Sequence, residues 1–236
     1  MQKVNQIVIL NGGIGSRVKS VSKNLPKCLI TFGSKSFLHF QLELIKKKGI
    51  KNVVICCGYK SKFIIKELKK ISIKNLGLSI KVSVEKKKLG TGAAITNASK
   101  YLHNHFFVTY GDSWLDINYK KLGDKLLISK NHCIMTVIKN SFIKNHKPNI
   151  FIKKSKILSY KKNTDNKNFK FIDYGLIAMK KESLLNFLDK KKFDLGIIID
   201  YLIKNNKIGS CKVNKKFHHI GSLEGIEEIK KVLKKL

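Results

Sequence analysis

Gly12, Gly13 and Gly15 stand together with Ser16 and Arg17 directly after the apolar run 6–10, in "ILNGGIGSRVK". Glycines let the backbone approach a ligand closely, and an arginine side chain offers a planar fork of donors that holds phosphate at two points. Arg17 is the single arginine among 49 lysines and arginines. In a chain that uses lysine at every other basic position, that exception points to a two-point phosphate contact which an ammonium cannot reproduce. Lys19, Lys23 and Lys27 follow, giving a loop able to wrap a polyphosphate. The pattern G-G-x-G-x-R is neither the G-x-x-x-x-G-K-[ST] phosphate loop nor the dinucleotide fingerprint.

Such a loop needs a rigid edge. Residues 6–10, 52–57, 78–84 and 105–110 read as short strands, the first, second and fourth nearly all apolar, as strands covered on both faces are. Between them, residues 36–49, 60–71 and 90–102 carry apolar side chains at helical spacing. Strand and helix in alternation predict right-handed crossovers and a parallel sheet with helices on both faces. Open sheets of this kind take ligands at the carboxyl ends of their strands, where the glycine loop lies. Further on, strands are expected at 133–138, 149–154, 156–162 and 171–181, helices at 182–190 and 195–207, a short strand at 208–212, and a terminal helix from Ser222.

Composition bounds the rest. The length of 236 residues suits one domain, with the glycine loop in a first half at about 1–115 and a second half at about 116–236 that extends the same sheet and carries substrate contacts. A net charge of +34 would ordinarily point to nucleic acid or an anionic membrane, but the lysines are spread evenly along the chain, so neither is expected as a partner. The five cysteines form no C-x-x-C pair and no metal-ligand spacing with histidine, which fits a reduced, cytoplasmic setting. No apolar run approaches the roughly 18 residues of a membrane span.

Five separated stretches, "LNGGIGSR", "LPKCLI", "EKKKLGTGAA", "YGDS" and "FHHIGSLEG", resemble in order and spacing the sugar-nucleotide pyrophosphorylases. The branch with heptose 1-phosphate guanylyltransferases and N-acetylmuramate 1-phosphate uridylyltransferases is the most similar. The resemblance implies a Rossmann-like, mostly parallel α/β sheet of the glycosyltransferase A kind. Leu10, Asn11, Gly12, Gly13, Gly15 and Ser16 would face base and ribose, with Arg17 on the triphosphate and Lys27 at the reacting phosphates. Gly90 and Thr91 would hold the base, with Glu85 just upstream. Asp112 would bind Mg²⁺, while Gly111, Lys162, Asp173 and Gly175 would serve the sugar phosphate.

The implied reaction joins a nucleoside monophosphate from an NTP to a sugar 1-phosphate. A phosphate oxygen attacks the α-phosphorus and pyrophosphate leaves in line. A phosphate monoester is already ionised near neutral pH, so neither a covalent step nor a general base is needed, and positioning with charge neutralisation carries the rate. A carboxylate acceptor at Glu85 suits guanine or cytosine better than uracil, predicting GTP or CTP over UTP. Three departures concern the acceptor half. His219 occupies a position where the family has a second acidic metal ligand, Lys161 replaces an acidic residue, and Asp173 stands for asparagine. Alternatives are a cytidylyltransferase for a non-sugar phosphate such as phosphocholine, a noncatalytic nucleotide-binding subunit, and a glycosyltransferase, which would want D-x-D where this chain has "DSWLD".

Overall fold

The computed structural model describes residues 3–12, 18–22, 25–58, 60–71, 76–143, 146–161 and 164–235. β1 (Gln6–Asn11) is followed by a segment that holds the helical turn Lys19–Ser22, the 3₁₀ turn Lys27–Leu29 and a small hairpin of Thr31–Phe32 with Lys35–Ser36, and then by α1 (Phe37–Lys47); β2 (Asn52–Cys57), α2 (Ser61–Lys70), β3 (Ser79–Val84), α3 (Thr91–Asn97) and β4 (His105–Tyr110) come next in the expected alternation. The second half holds β5 (Ser113–Trp114), α4 (Tyr119–Ile128), β6 (Cys133–Lys139), β7 (Ile150–Lys153), β8 (Lys156–Tyr160), β9 (Phe171–Lys180), α5 (Leu195–Lys204), β10 (Ile208–Val213), β11 (His218–His219) and α6 (Leu223–Leu233).

Nine strands form one sheet in the order β3-β2-β1-β4-β9-β6-β10-β8-β7. The run β3-β2-β1-β4 is parallel throughout, with Ile9 in register with Ile55 on one side and Thr109 on the other. β9 then enters antiparallel to both β4 and β6, β10 returns parallel to β6, and β8 and β7 close the edge antiparallel. The parallel part is thus built from residues 6–110, and the later strands extend the same sheet in both directions.

Alternation along β1 shows why its sequence is apolar without a break. Ile7 and Ile9 pack on one face with Leu38 and Leu42 of α1, Ile64 of α2 and Leu122 of α4. Val8 and Leu10 pack on the other with Ala93 to Ile95 of α3 and Ile198, Ile199 and Leu202 of α5. Both faces of a parallel strand are covered by its crossover helices, so neither series of positions can be polar. A third cluster joins Phe37 and Leu44 of α1 to Trp114, Ile220 and Ile226, which docks α6 against α1.

Two elements differ from expectation. α4 had no counterpart in the sequence reading, because "YKKLGDKLLI" is rich in lysine and broken by Gly123. That glycine lies in close packing, as a Cβ there would stand 3.2 Å from the Phe107 ring and 3.3 Å from Val4, and these neighbours would have to give by a few tenths of an ångström. Asn118 caps the helix by accepting from the Lys121 amide at 2.9 Å. The helix expected at 182–190 is instead a 3₁₀ segment, Lys181–Phe187, whose Ser183 hydroxyl donates to the Lys180 carbonyl at 2.7 Å. All five cysteines are unpaired and buried. Among the described residues no helix is long and apolar enough to cross a membrane.

Candidate active site

The carboxyl ends of β1 and β4 open side by side into a cleft of about 220 Å³. Leu10, Asn11, Gly12, Lys27, Glu85, Gly90, Thr91, Gly111 and Asp112 all line it. Gly13, Gly15, Ser16, Arg17, Lys23 and Lys162 lie outside the described residues, as does the side chain of Lys19.

At the floor, the Gly111 amide donates to the Leu10 carbonyl at 3.0 Å, which continues the β1–β4 pairing into the loop. A Cβ on Gly111 would overlap the side-chain carboxamide of Asn11, which would have to turn aside. Asn11 Nδ2 is buried without a partner among the described residues. Gln41, buried on α1, donates to the carbonyls of Tyr110 at 3.0 Å and Ser113 at 2.9 Å, and so fixes the loop that carries Asp112.

Lys27 comes from the other side of the cleft. Pro26, at φ −53°, leads into a single 3₁₀ turn whose next two residues, Cys28 and Leu29, are buried. Anchored in this way, the ammonium stands 3.4 Å from Asp112 Oδ2, with side-chain exposures of 15% and 33%. A cation and a carboxylate thus converge at the strand ends, although 85 residues separate them in the chain.

The opposite end is acidic. Glu85 follows β3 and is 7% exposed. Its Oε2 accepts from the Leu89 amide at 3.2 Å, and its Oε1 lies 3.9 Å from the position a Cβ would take on Gly12. Burial raises the carboxyl above its ordinary value, and the Leu89 hydrogen bond works against that rise. Beside it, Gly90 adopts φ +90° and Thr91 opens α3.

The expected acceptor residues sit next door. Asp173 and Gly175 lie where the pairing of β9 with β6 shifts register, and the Gly175 amide donates to Asp173 Oδ1 at 2.9 Å. The Tyr160 hydroxyl donates to Asp173 Oδ2 at 3.5 Å. Tyr110, which does line the cleft, links the two regions. Burial pushes its hydroxyl well up, and the charge of Asp173 adds to the rise. Sequence reasoning did not single out Tyr110, Gln41 or Asp194; the first two carry no local motif, and Asp194 reads only as a helix cap.

Mg²⁺ takes one or two carboxylates and completes its octahedron with water and phosphate oxygens. Asp112, a partly exposed carboxylate in the cleft, fits that demand. His219 lies on β11 opposite Ser113, and its Nδ1 accepts from the Gly221 amide at 3.0 Å. Among the described residues no group of three His, Cys, Asp or Glu side chains forms a cation cage. Of the carboxylates that line the cleft, Asp112 is the one paired with Lys27 at the strand ends.

Known proteins are similar to this chain in sequence and fold. Residues 6–149 match the nucleotidyl transferase family. A D-glycero-α-D-manno-heptose 1-phosphate guanylyltransferase of Campylobacter jejuni is 34% identical over 219 residues, covering 92% of this chain and 94% of the relative. Among solved structures, HddC from Yersinia pseudotuberculosis is 25% identical with a TM-score of 0.78, covering 98% of this chain and 100% of the other. The inositol-1-phosphate CTP transferase of T. maritima, at 18% identity, shares the fold with a TM-score of 0.78, covering 99% and 96%.

Proposed function

Because the chain belongs to the nucleotidyl transferase family, we propose that its cleft moves the guanylyl group of GTP onto a heptose 1-phosphate and releases pyrophosphate. The relative from Campylobacter jejuni, similar along nearly its whole length, supports both substrates. The observation that carries the choice of base is Glu85, a carboxylate buried at the end of the cleft away from Lys27 and Asp112. Guanine presents N1–H beside an N2 amino group, two donors that a carboxylate accepts together, whereas uracil presents one N–H between two carbonyls.

In this reading the sugar phosphate oxygen attacks the α-phosphorus in line with the departing pyrophosphate. Lys27 neutralises charge on the reacting phosphates, and Arg17, in the loop after β1, grips the triphosphate. Asp112 would hold Mg²⁺, which when bound screens the repulsion between the two anionic substrates. The 3₁₀ turn behind Lys27 and the Gln41 tether behind Asp112 hold both groups in place before substrate arrives, so little reorganisation remains for the reaction itself. Asp173 and Tyr160, adjoining through Tyr110, face the acceptor. The single domain and the cytoplasmic setting belong to the same proposal.

The test is a competition among equal GTP, CTP and UTP, run in turn with a heptose 1-phosphate, mannose 1-phosphate, inositol 1-phosphate and phosphocholine. Formation of GDP-heptose above the other products is expected. A clear preference for UTP would remove Glu85 from base recognition, and turnover of phosphocholine alone would replace the sugar acceptor.

A further inference from the structure

Asp194 lies on the acceptor half of the chain, yet it lines the nucleotide cleft. Its position is that of a helix cap, immediately before α5, but its side chain makes no capping hydrogen bond. The carboxylate turns instead to α3. Asp194 Oδ1 accepts from both the amide of Thr91, at 3.3 Å, and its hydroxyl, at 3.4 Å. That hydroxyl in turn accepts from the Leu195 amide at 2.9 Å.

Phe193 completes the seam. Its amide donates to the Leu89 carbonyl at 3.0 Å, and its carbonyl accepts from Gly92 and Ala93, each at 3.1 Å. The first amides of α3 are thus committed to protein acceptors. A Cβ on Gly90 would stand 2.6 Å from the Phe193 carbonyl oxygen, and one on Gly92 would overlap the Phe193 ring. Both glycines are needed for this close approach. α3 spans only seven residues, too few for a helix to hold its first turn unaided.

We propose that Asp194 is a positioning residue for nucleotide binding: through Thr91 it fixes the Gly90–Thr91 edge of the cleft against which the base lies. This rests on the reading above that the Glu85 and Gly90 end of the cleft receives the base. Asp194 needs only one acceptor oxygen for the task, and it acts on the ground state and the transition state alike. Its loss therefore raises KM for the nucleotide and leaves kcat in place.

Two substitutions separate positioning from support of the fold. Asp194→Ser puts a favourable cap ahead of α5 but is too short to reach Thr91, whereas Asp194→Asn keeps an acceptor oxygen at the same reach. Affinity for GTP is measured calorimetrically without acceptor, beside KM, kcat and melting temperature. Loss of one charge-assisted hydrogen bond predicts about a tenfold weaker Kd and a matching rise in KM for Asp194→Ser, with kcat within about twofold and little change in melting. Asp194→Asn is expected to bind within about threefold of the parent, as an amide oxygen replaces the carboxylate oxygen. Wild-type affinity in Asp194→Ser, an equal loss in both variants, or a fall in melting temperature without a loss of affinity would each overturn the assignment. If the parent enzyme prefers UTP, the guanine reading falls, and Asp194 is judged by the same ratios measured with UTP.

Discussion

Gly90→Ala is the substitution whose effect the geometry determines most directly. Gly90 sits at φ +90° and ψ 162°, a region essentially confined to glycine, where another residue stores about 1–3 kcal/mol. The added Cβ would also meet the Phe193 carbonyl oxygen at 2.6 Å, its carbonyl carbon at 2.9 Å and Asp194 Oδ1 at 3.1 Å. Phe193 cannot retreat freely, because its amide bonds Leu89 and its carbonyl bonds Gly92 and Ala93. Displacing it forfeits hydrogen bonds at about 1 kcal/mol each. Strain and lost bonds together give about 4 kcal/mol, which in a chain of this size lowers the melting temperature by roughly 8–16 °C. Gly12→Ala is the control, since among the described residues its Cβ would meet only Glu85 Oε1, at 3.9 Å. That variant should melt within about 2 °C of the parent while binding GTP less well, because the methyl group enters the base end of the cleft. Calorimetric melting of the two proteins decides the matter. A Gly90→Ala protein that melts like the parent would show that the seam between α3 and residues 193–195 yields easily, and the reasoning built on it would fail.

Lys27→Ala and Asp112→Asn should each slow pyrophosphate release by about a hundredfold or more while still folding, which melting curves check; normal turnover by either variant removes that residue from the site. Arg17→Lys keeps the charge but loses the fork, and kcat/KM should fall by roughly 1.5–3 kcal/mol of transition-state stabilisation, so unchanged kinetics would make the single arginine incidental. Burial raises the Glu85 carboxyl from 4.5, so the fold favours its neutral form. The associated stability is fully present below the unfolded value and is lost as pH rises through the folded one, whereas guanine recognition needs the ionised form and weakens as pH falls through that same folded value. GTP titrations across that window should show the loss in the parent and not in Glu85→Gln; identical pH profiles would exclude Glu85 as the acceptor.

Strands β1, β2 and β4 were legible because both of their faces are buried, which forces an unbroken apolar run that few other environments require. Gly90, Thr91, Lys27 and Asp112 were legible as members of a motif series, and the structure gathers them at one sheet edge. α4 was not, because lysines cover its exposed face and its glycine answers to Phe107 and Val4, contacts made over long sequence separations. Asp194 was hidden for the same reason. Its partner Thr91 lies 103 residues away, and locally "FDLG" announces only the start of a helix.

The charge pattern explains which residue types carry information in this chain. Against 49 lysines and arginines there are 15 acidic residues, so a lysine at any given position says little and a carboxylate says more. Asp116 holds Lys48 at 2.5 Å and also Lys215, tying α1 to the segment before β11. Glu228 similarly joins Lys216 at 2.7 Å and His218 at 3.1 Å, tying α6 to β11. Both carboxyls are held below their ordinary values by these partners, the mark of acids fixed in the ionised form by structural pairing. Glu85, Asp112 and Asp194 line the cleft instead, and Asp173 stands beside it. Of the cleft acids only Asp112 has a lysine in an ion pair among the described residues, and that lysine is Lys27. Glu85 and Asp194 accept from backbone amides and a hydroxyl even though lysines abound. In so basic a protein these two carboxylates are held by backbone and hydroxyl donors and not by an ammonium, although Lys88 lines the same cleft.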